Sequence, residues 1–257
     1  MGVRNLLGHC LDHKEQCVEF VDLVQVAASR EEGIEILCDF YNVQYLLAAS
    51  FWKSLSLVSE NPYLQLLGGE YASLGEYISK LIDDLHSLKI KLVMFVDGAK
   101  GTSLDGFQQK LSTWESRHFQ DLKKMRESLD ILHQRRSMQQ SKGDRLRPVL
   151  LEVQILESLQ HCGCEVVQCT SFEADFVIAR NLMNRPNAFA ILSNDADFCV
   201  FDNCKFIPFE LFDVNKDLGL GQKQRLPRKP ARLEVGLISS TKVWTSLGVR
   251  YCKSSFL

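Results

Sequence analysis

The chain predicts an α/β fold with a mainly parallel central sheet, and three observations carry that prediction. Short apolar runs rich in β-branched residues recur along it, each about as long as a buried strand. Longer stretches with apolar residues at helical spacing separate them, so strands and helices alternate. Four of the runs end in, or lead straight into, an acidic residue, and the carboxyl ends of parallel strands share one edge of such a sheet.

The elements follow in order. "IEILCDF", Ile34 to Phe40, reads as a buried strand ending in Asp39, with a helix over Tyr41 to Leu57 behind it. A second helix is expected over Tyr71 to Leu88, where Leu74, Ile78, Leu81, Ile82 and Leu85 share one face. "IKLVMFVDG", Ile90 to Gly98, is the next strand, closed by Asp97 and Gly98. The polar stretch Thr102 to Arg147 has helical propensity and a thin apolar stripe. Pro148 then opens a helix over Val149 to Gln160. "CEVVQC" reads as a strand, "SFEADFVIARNLM" as a helix and "AFAILS" as a strand. Past Phe212 the pattern decays, "GQKQRLPRKPAR" is a basic linker, and Leu233 to Leu257 reads as a short tail. The expected division is a domain over 1–213 with an insertion at about 102–147, then a linker and tail over 214–257.

Composition narrows the function classes. A chain of 257 residues buries a sizeable core, and its apolar and charged fractions are those of an ordinary globular protein. A net charge of -2 argues against uniform coating of nucleic acid or membrane, so local asymmetry matters more than the total. Nine cysteines, odd in number and irregularly spaced, fit a reduced intracellular protein. "HCGC" is a CxC pair, and Cys199 and Cys204 lack a matching CxxC or His pair, so zinc is poorly supported. The N-terminal "MGVRNLLGHCLDHKEQC" meets charges too early for a secretory leader, and Leu6 breaks the myristoylation pattern. No apolar run approaches the ~18 residues that span a bilayer, so no membrane partner is expected. "KQRLPRKPAR" reads either as a nuclear import signal or as a solvated linker, and the nucleus is preferred over the cytoplasm.

The acids form the candidate site. Asp39 and Asp97 close the first two strands, Glu173 and Asp175 follow the third, and Asp195 and Asp197 follow the fourth. A parallel sheet would bring all six to one crevice. Like charges there repel by about 4 kcal/mol at 4 Å and moderate dielectric, so the cluster calls for protonation or bound cations. Oxygen donors without His or Cys point to Mg²⁺ or Mn²⁺. Each acid also has a local reading. Asp39 and Asp195 suit helix caps, Asp97-Gly98 is a turn dipeptide, and Thr170-Ser-Phe-Glu173 matches a capping box.

In their order, "MGV", "CDFYN", "MFVDG", "EADF" and "SNDADF" resemble the flap-endonuclease/XPG nuclease superfamily with its PIN-like core, and within it the asteroid-homolog branch. "VVQCTSFEAD" and "LSNDADFCVFD" are the most specific stretches, and the resemblance covers about residues 1–213. It implies a PIN-like sheet with a basic helical arch over the site. It also implies two divalent ions, Mg²⁺ or Mn²⁺, held by Asp39, Asp97, Glu173, Asp175, Asp195 and Asp197. The implied activity is metal-dependent, structure-selective hydrolysis of DNA at flaps, overhangs or single-strand/double-strand junctions, with RNA left open as a substrate.

The resemblance further implies a phosphate grip from Gly2, Lys110 and Arg117, the last two being two helical turns apart. Arg117 to Arg147 holds nine Lys and Arg against four acids, so Lys123, Lys124, Arg126, Arg135 and Arg136 are candidate nucleic-acid contacts. Two departures stand against the family pattern. The Gly-Asn/Cys-Asp segment with a further aspartate is missing, and so is the helix-turn-helix element that grips duplex. The alternative reading is a PIN-like scaffold or coregulator that binds nucleic acid or proteins without cutting.

Overall fold

The run Ile34–Asp39 forms β2, an interior strand of a seven-stranded sheet. The computed structural model describes residues 5–54, 68–98, 104–134, 148, 150–170, 172–212 and 232–249. Its strands are β1 (Val18–Asp22), β2, β3 (Ile90–Asp97), β4 (Glu165–Cys169), β5 (Ala188–Leu192), β6 (Lys205–Ile207) and β7 (Glu234–Ser239). They run in the order β1-β7-β6-β5-β2-β3-β4. The five strands β6-β5-β2-β3-β4 are mutually parallel, whereas β7 pairs antiparallel with both β6 and β1. The expected α/β class with a mainly parallel sheet is what the structure has.

Helices cover both faces, because β2, β3 and β5 are apolar on both sides. On one face Ile36, Cys38, Leu92, Met94, Ala190 and Leu192 meet the helices Phe40–Ser54, Tyr71–Ser87 and Leu151–His161. The five apolar residues expected to share a face of Tyr71–Ser87 are all buried. On the other face Leu37, Val93, Phe95 and Ile191 pack with the helices Leu6–Asp12, Ala174–Asn184 and Ser240–Ser246. Helix boundaries shift by a few residues from the sequence reading, as frayed ends do.

Three strands went unread in the sequence. β6 has three residues, too few for periodicity to register. β1 carries Glu19 among its apolar residues and ends in Asp22. β7 lies in the stretch read as a tail, and Gly236 at its centre looks like a breaker. The close packing explains that glycine: a Cβ there would meet Leu211 Cδ1 at 2.5 Å and Val18 Cγ1 at 2.9 Å.

The chain winds from β2 outward through β3 to β4, then returns to the other side of β2 with β5 and β6. The order therefore reverses between β2 and β5, and the crevice beyond the carboxyl ends at such a point is where α/β sheets bind ligands. At the opposite edge the acids have a cation. Arg185 donates from Nε to Glu35 Oε2 at 2.7 Å and from Nη1 and Nη2 to the two Glu165 oxygens at 2.8 and 2.7 Å. That fork ties the beginnings of β2 and β4 together. Among the described residues eight cysteines are free thiols, seven of them buried, and no helix is long and apolar enough to cross a membrane.

Candidate active site

Asp39 ends β2 and Asp195 follows β5, so the two strands flanking the reversal deliver an acid each. Ser193, fully buried between them, links the two: its Oγ donates to Asp39 Oδ2 at 3.4 Å and accepts from the Asp195 N–H at 3.1 Å. Asp39 is itself 7% exposed and also accepts from the side chain and backbone of Asn42. Burial pushes its carboxyl above the usual aspartate range despite those donors, and the charge of Asp195 adds to the rise.

The strand register explains where Asp97 stands. Asp39 pairs with Phe95, so the two side chains leave the same sheet face, and Asp97 leaves that face too, two residues further out. At ~3.3 Å per residue it lies about 7 Å nearer solvent along its strand. Asp97 is level with Cys169 on β4, and the Gly98 N–H donates to the Cys169 carbonyl at 3.0 Å. Asp97-Gly98 thus extends the β3–β4 pairing instead of turning. A Cβ at Gly98 would come within 2.6 Å of the Cys169 oxygen. Gly98→Ala is therefore expected to spread the ends of β3 and β4, costing roughly 1–3 kcal/mol, measured by urea denaturation.

Helix Ala174–Asn184 packs on this same face through Ala174 and Ile178, which sets its N-terminus over the crevice. Glu173 occupies the N-cap position but makes no side-chain capping bond, so the capping-box reading is not realised. Asp175, in the first turn, is pushed up to about 7. Burial is the largest cause, and the charges of Asp39, Asp195, Asp197 and Glu173 follow. Five of the six acids thus sense one another through Asp175. Asp195 does cap the 3₁₀ turn Ala196–Val200, its Oδ1 accepting from the Asp197 N–H at 2.9 Å. That bond leaves its other oxygen to serve the crevice, so the cap and site readings are compatible.

The donor set suits a hard divalent cation: carboxylate oxygens, partly buried, whose repulsion a positive ion would relieve. Among the described residues no group of three or more His, Cys, Asp or Glu side chains is already arranged to hold a metal ion. The carboxylates gather around one crevice without closing into a ligand shell.

Ser193 and Asn42 are site residues that the sequence reading passed over. A hydroxyl closing an apolar run directly before Asn-Asp is the signal that marks Ser193, since a buried polar side chain needs partners.

The basic candidates lie on the 30-residue helix Leu104–His133 and beyond it. Arg117, Lys123 and Arg126 are exposed on that helix, and Lys124 is half-buried. Lys123 lies 3.9 Å from Glu127, a solvated i,i+4 pair of small energetic weight. Gly2, Arg135 and Arg136 lie outside the described residues, as does the side chain of Lys110.

No family model and no curated protein matches the chain. Among solved structures it is similar to the catalytic core of Rad2 in complex with DNA substrate, at 15% identity and a TM-score of 0.46, covering 96% of this chain and 58% of that one. It is similar to a second Rad2 catalytic core at 13% identity and a TM-score of 0.43, covering 96% and 54%. The eukaryotic junction-resolving enzyme GEN-1, binding with cesium, matches at 13% identity and a TM-score of 0.40, covering 88% and 37%. The chain spans somewhat over half the length of those Rad2 chains and just over a third of the GEN-1 chain. Likenesses this distant carry no weight on activity, and they do not single out the asteroid-homolog branch.

Proposed function

We propose that the chain is a divalent-metal-dependent, structure-selective endonuclease of the flap-endonuclease/XPG type, in its asteroid-homolog branch, acting on DNA flaps, overhangs or single-strand/double-strand junctions. The observation that carries this reading is the gathering of carboxylates from β2, β5 and the helix after β4 at the point where strand order reverses. Asp39, Asp97, Glu173, Asp175, Asp195 and Asp197 would hold two Mg²⁺ or Mn²⁺ ions. Such ions supply activation of the attacking water and charge stabilisation at the leaving 3′ oxygen, so no histidine base is required. Ser193 and Asn42 hold the Asp39 carboxylate in place, and Ser193 also fixes the backbone at Asp195. The product would carry a 5′ phosphate.

Arg117, Lys123, Lys124 and Arg126 would draw the polynucleotide backbone towards the crevice without reading sequence. Neutralising Lys123, Lys124 and Arg126 together is expected to weaken DNA binding several-fold at 0.1 M salt. It should also lower the slope of log affinity on log salt by about 2 to 3, measured by fluorescence anisotropy across a salt series.

The deciding experiment incubates purified protein with labelled flap, 3′- and 5′-overhang, single-stranded and blunt duplex DNA, in Mg²⁺, Mn²⁺ or EDTA. Cleavage of the first four in metal, with EDTA and blunt duplex giving none, is the expected result. DNA binding without cutting under every metal condition would instead favour the non-cutting scaffold.

A further inference from the structure

Two exposed aromatic residues flank the acids at the entry of helix Ala174–Asn184. Phe172 and Phe176 bracket Glu173 and Asp175 in the chain, and their rings touch, with centroids 5.5 Å apart and planes tilted by 49°. Both are open to solvent, at 54% and 44% exposure. A helix entry offers phenylalanine a buried alternative. With Glu173 at the N-cap, Phe172 is the residue before the cap, and its usual apolar partner would be Val177, four positions into the helix. Here it meets Phe176 instead, at the third helical position, and the pair stands in water.

We propose that Phe172 and Phe176 form a stacking platform for an unpaired nucleobase of the strand being cut. The proposal rests on the nuclease reading for the identity of its occupant. Adjacency in the chain argues for that occupant: Phe172 and Phe176 are the immediate chain neighbours of Glu173 and Asp175, so a phosphodiester held at those acids would bring its bases towards these rings. An exposed aromatic ring face beside acidic residues would disfavour the phosphate and accept a base, one ring stacking on it and the other, tilted by 49°, bracing its edge. Phenylalanine has no polar atom with which to read a base edge, so the platform selects for an unpaired, accessible base whatever its identity. A duplex, whose bases already stack on each other, gains nothing from it. The pair would thereby contribute preference for single-stranded or frayed substrate next to the cut.

The test uses the full chain in EDTA, where binding is read without cutting. A single-stranded oligonucleotide carries 2-aminopurine at successive positions. Wild-type protein is expected to quench its fluorescence at one or two adjacent positions. Phe172→Leu with Phe176→Leu should abolish that quench and weaken single-strand binding about tenfold, within the range that one lost stacked base allows. Phe172→Trp with Phe176→Trp should restore both, and duplex binding should be unchanged in every variant.

Equal quenching by the leucine variant overturns the platform. So does a drop of several degrees in its melting temperature without DNA, since the pair would then be covered by the protein itself. The two readings separate cleanly. Cleavage in Mg²⁺ with position-independent fluorescence refutes the platform alone, while a position-specific quench without any cleavage refutes the nuclease alone. Absence of DNA binding by the wild type refutes both.

Discussion

Asp195→Ala is expected to lower metal-dependent cleavage by a factor of a thousand or more while leaving the fold intact. Asp195 follows the strand beside the reversal point, is bridged to Asp39 through Ser193, and contributes to the charge felt at Asp175. Removing one carboxylate from a shared cation site takes away both a ligand and part of the field that attracts the ion. A thousandfold loss corresponds to about 4 kcal/mol of transition-state stabilisation, which is reasonable for a metal-positioning group. Raising the Mg²⁺ concentration should recover little of it, because the loss lies in positioning as well as occupancy. The cap over the 3₁₀ turn is lost too, at about 1 kcal/mol, so a melting curve beside the rate measurement separates unfolding from loss of chemistry. Single-turnover cleavage of a flap substrate is the measurement, and a variant that cuts at the wild-type rate removes Asp195 from the centre.

Asp175→Asn is expected to do the opposite to stability. In the unfolded chain this carboxyl loses its proton near the ordinary 3.8, and in the folded protein near 7. The folded protein thus binds that proton about a thousandfold more tightly, so ionising the group in place opposes folding. The sign follows from that inequality. The stability contributed by the protonated group is complete below pH 4, falls between pH 4 and 7, and is gone above 7.

The full difference amounts to about 4 kcal/mol, and partial solvent access to Asp175 reduces the realised effect to about 2 kcal/mol. In EDTA at pH 8, Asp175→Asn should therefore melt roughly 5 °C above wild type, and at pH 4 the two should nearly coincide. Divalent ions should raise the wild-type midpoint at pH 8 and raise that of Asp175→Asn much less. A variant that melts lower than wild type at pH 8 without metal would mean that Asp175 is held by a partner charge.

Much of this was legible in the sequence because the strands bearing acids are strongly patterned. "IEILCD" and "IKLVMFVD" are buried over most of their length and "AFAIL" over its second half, while the edge strand "EVVQC" is half-exposed and is marked by its paired valines; composition alone signals all four. From parallel strands the sharing of one edge follows, and with it the company of Asp39, Glu173, Asp175, Asp195 and Asp197. What escaped depended on distant contacts. Gly236 belongs in a strand only because Leu211 and Val18 press against it, and nothing within ten residues of it signals that pressure. Ser193 resembles any small residue ending a strand until Asp39, brought in from 154 positions away, turns its hydroxyl into a bridge. The rise at Asp175 likewise comes from burial and from its neighbours in space, which the stretch "EADF" marks as a candidate without showing.

The ladder joining β1 to β7 sets Val18 against Ile238 and Asp22 against Glu234. During synthesis the β1 segment leaves the ribosome first and must wait until roughly two hundred further residues have followed, on the order of tens of seconds at ordinary elongation rates. Until then the open border of β6 and the lone β1 ribbon both display unpaired amides, which invite pairing with other nascent chains. Completing the sheet is thus expected to come late in folding, since pairing across so long a separation must close a large loop first. Soluble yield in a cell is accordingly expected to rise when holding chaperones are co-expressed, the measurement being the soluble fraction with and without them.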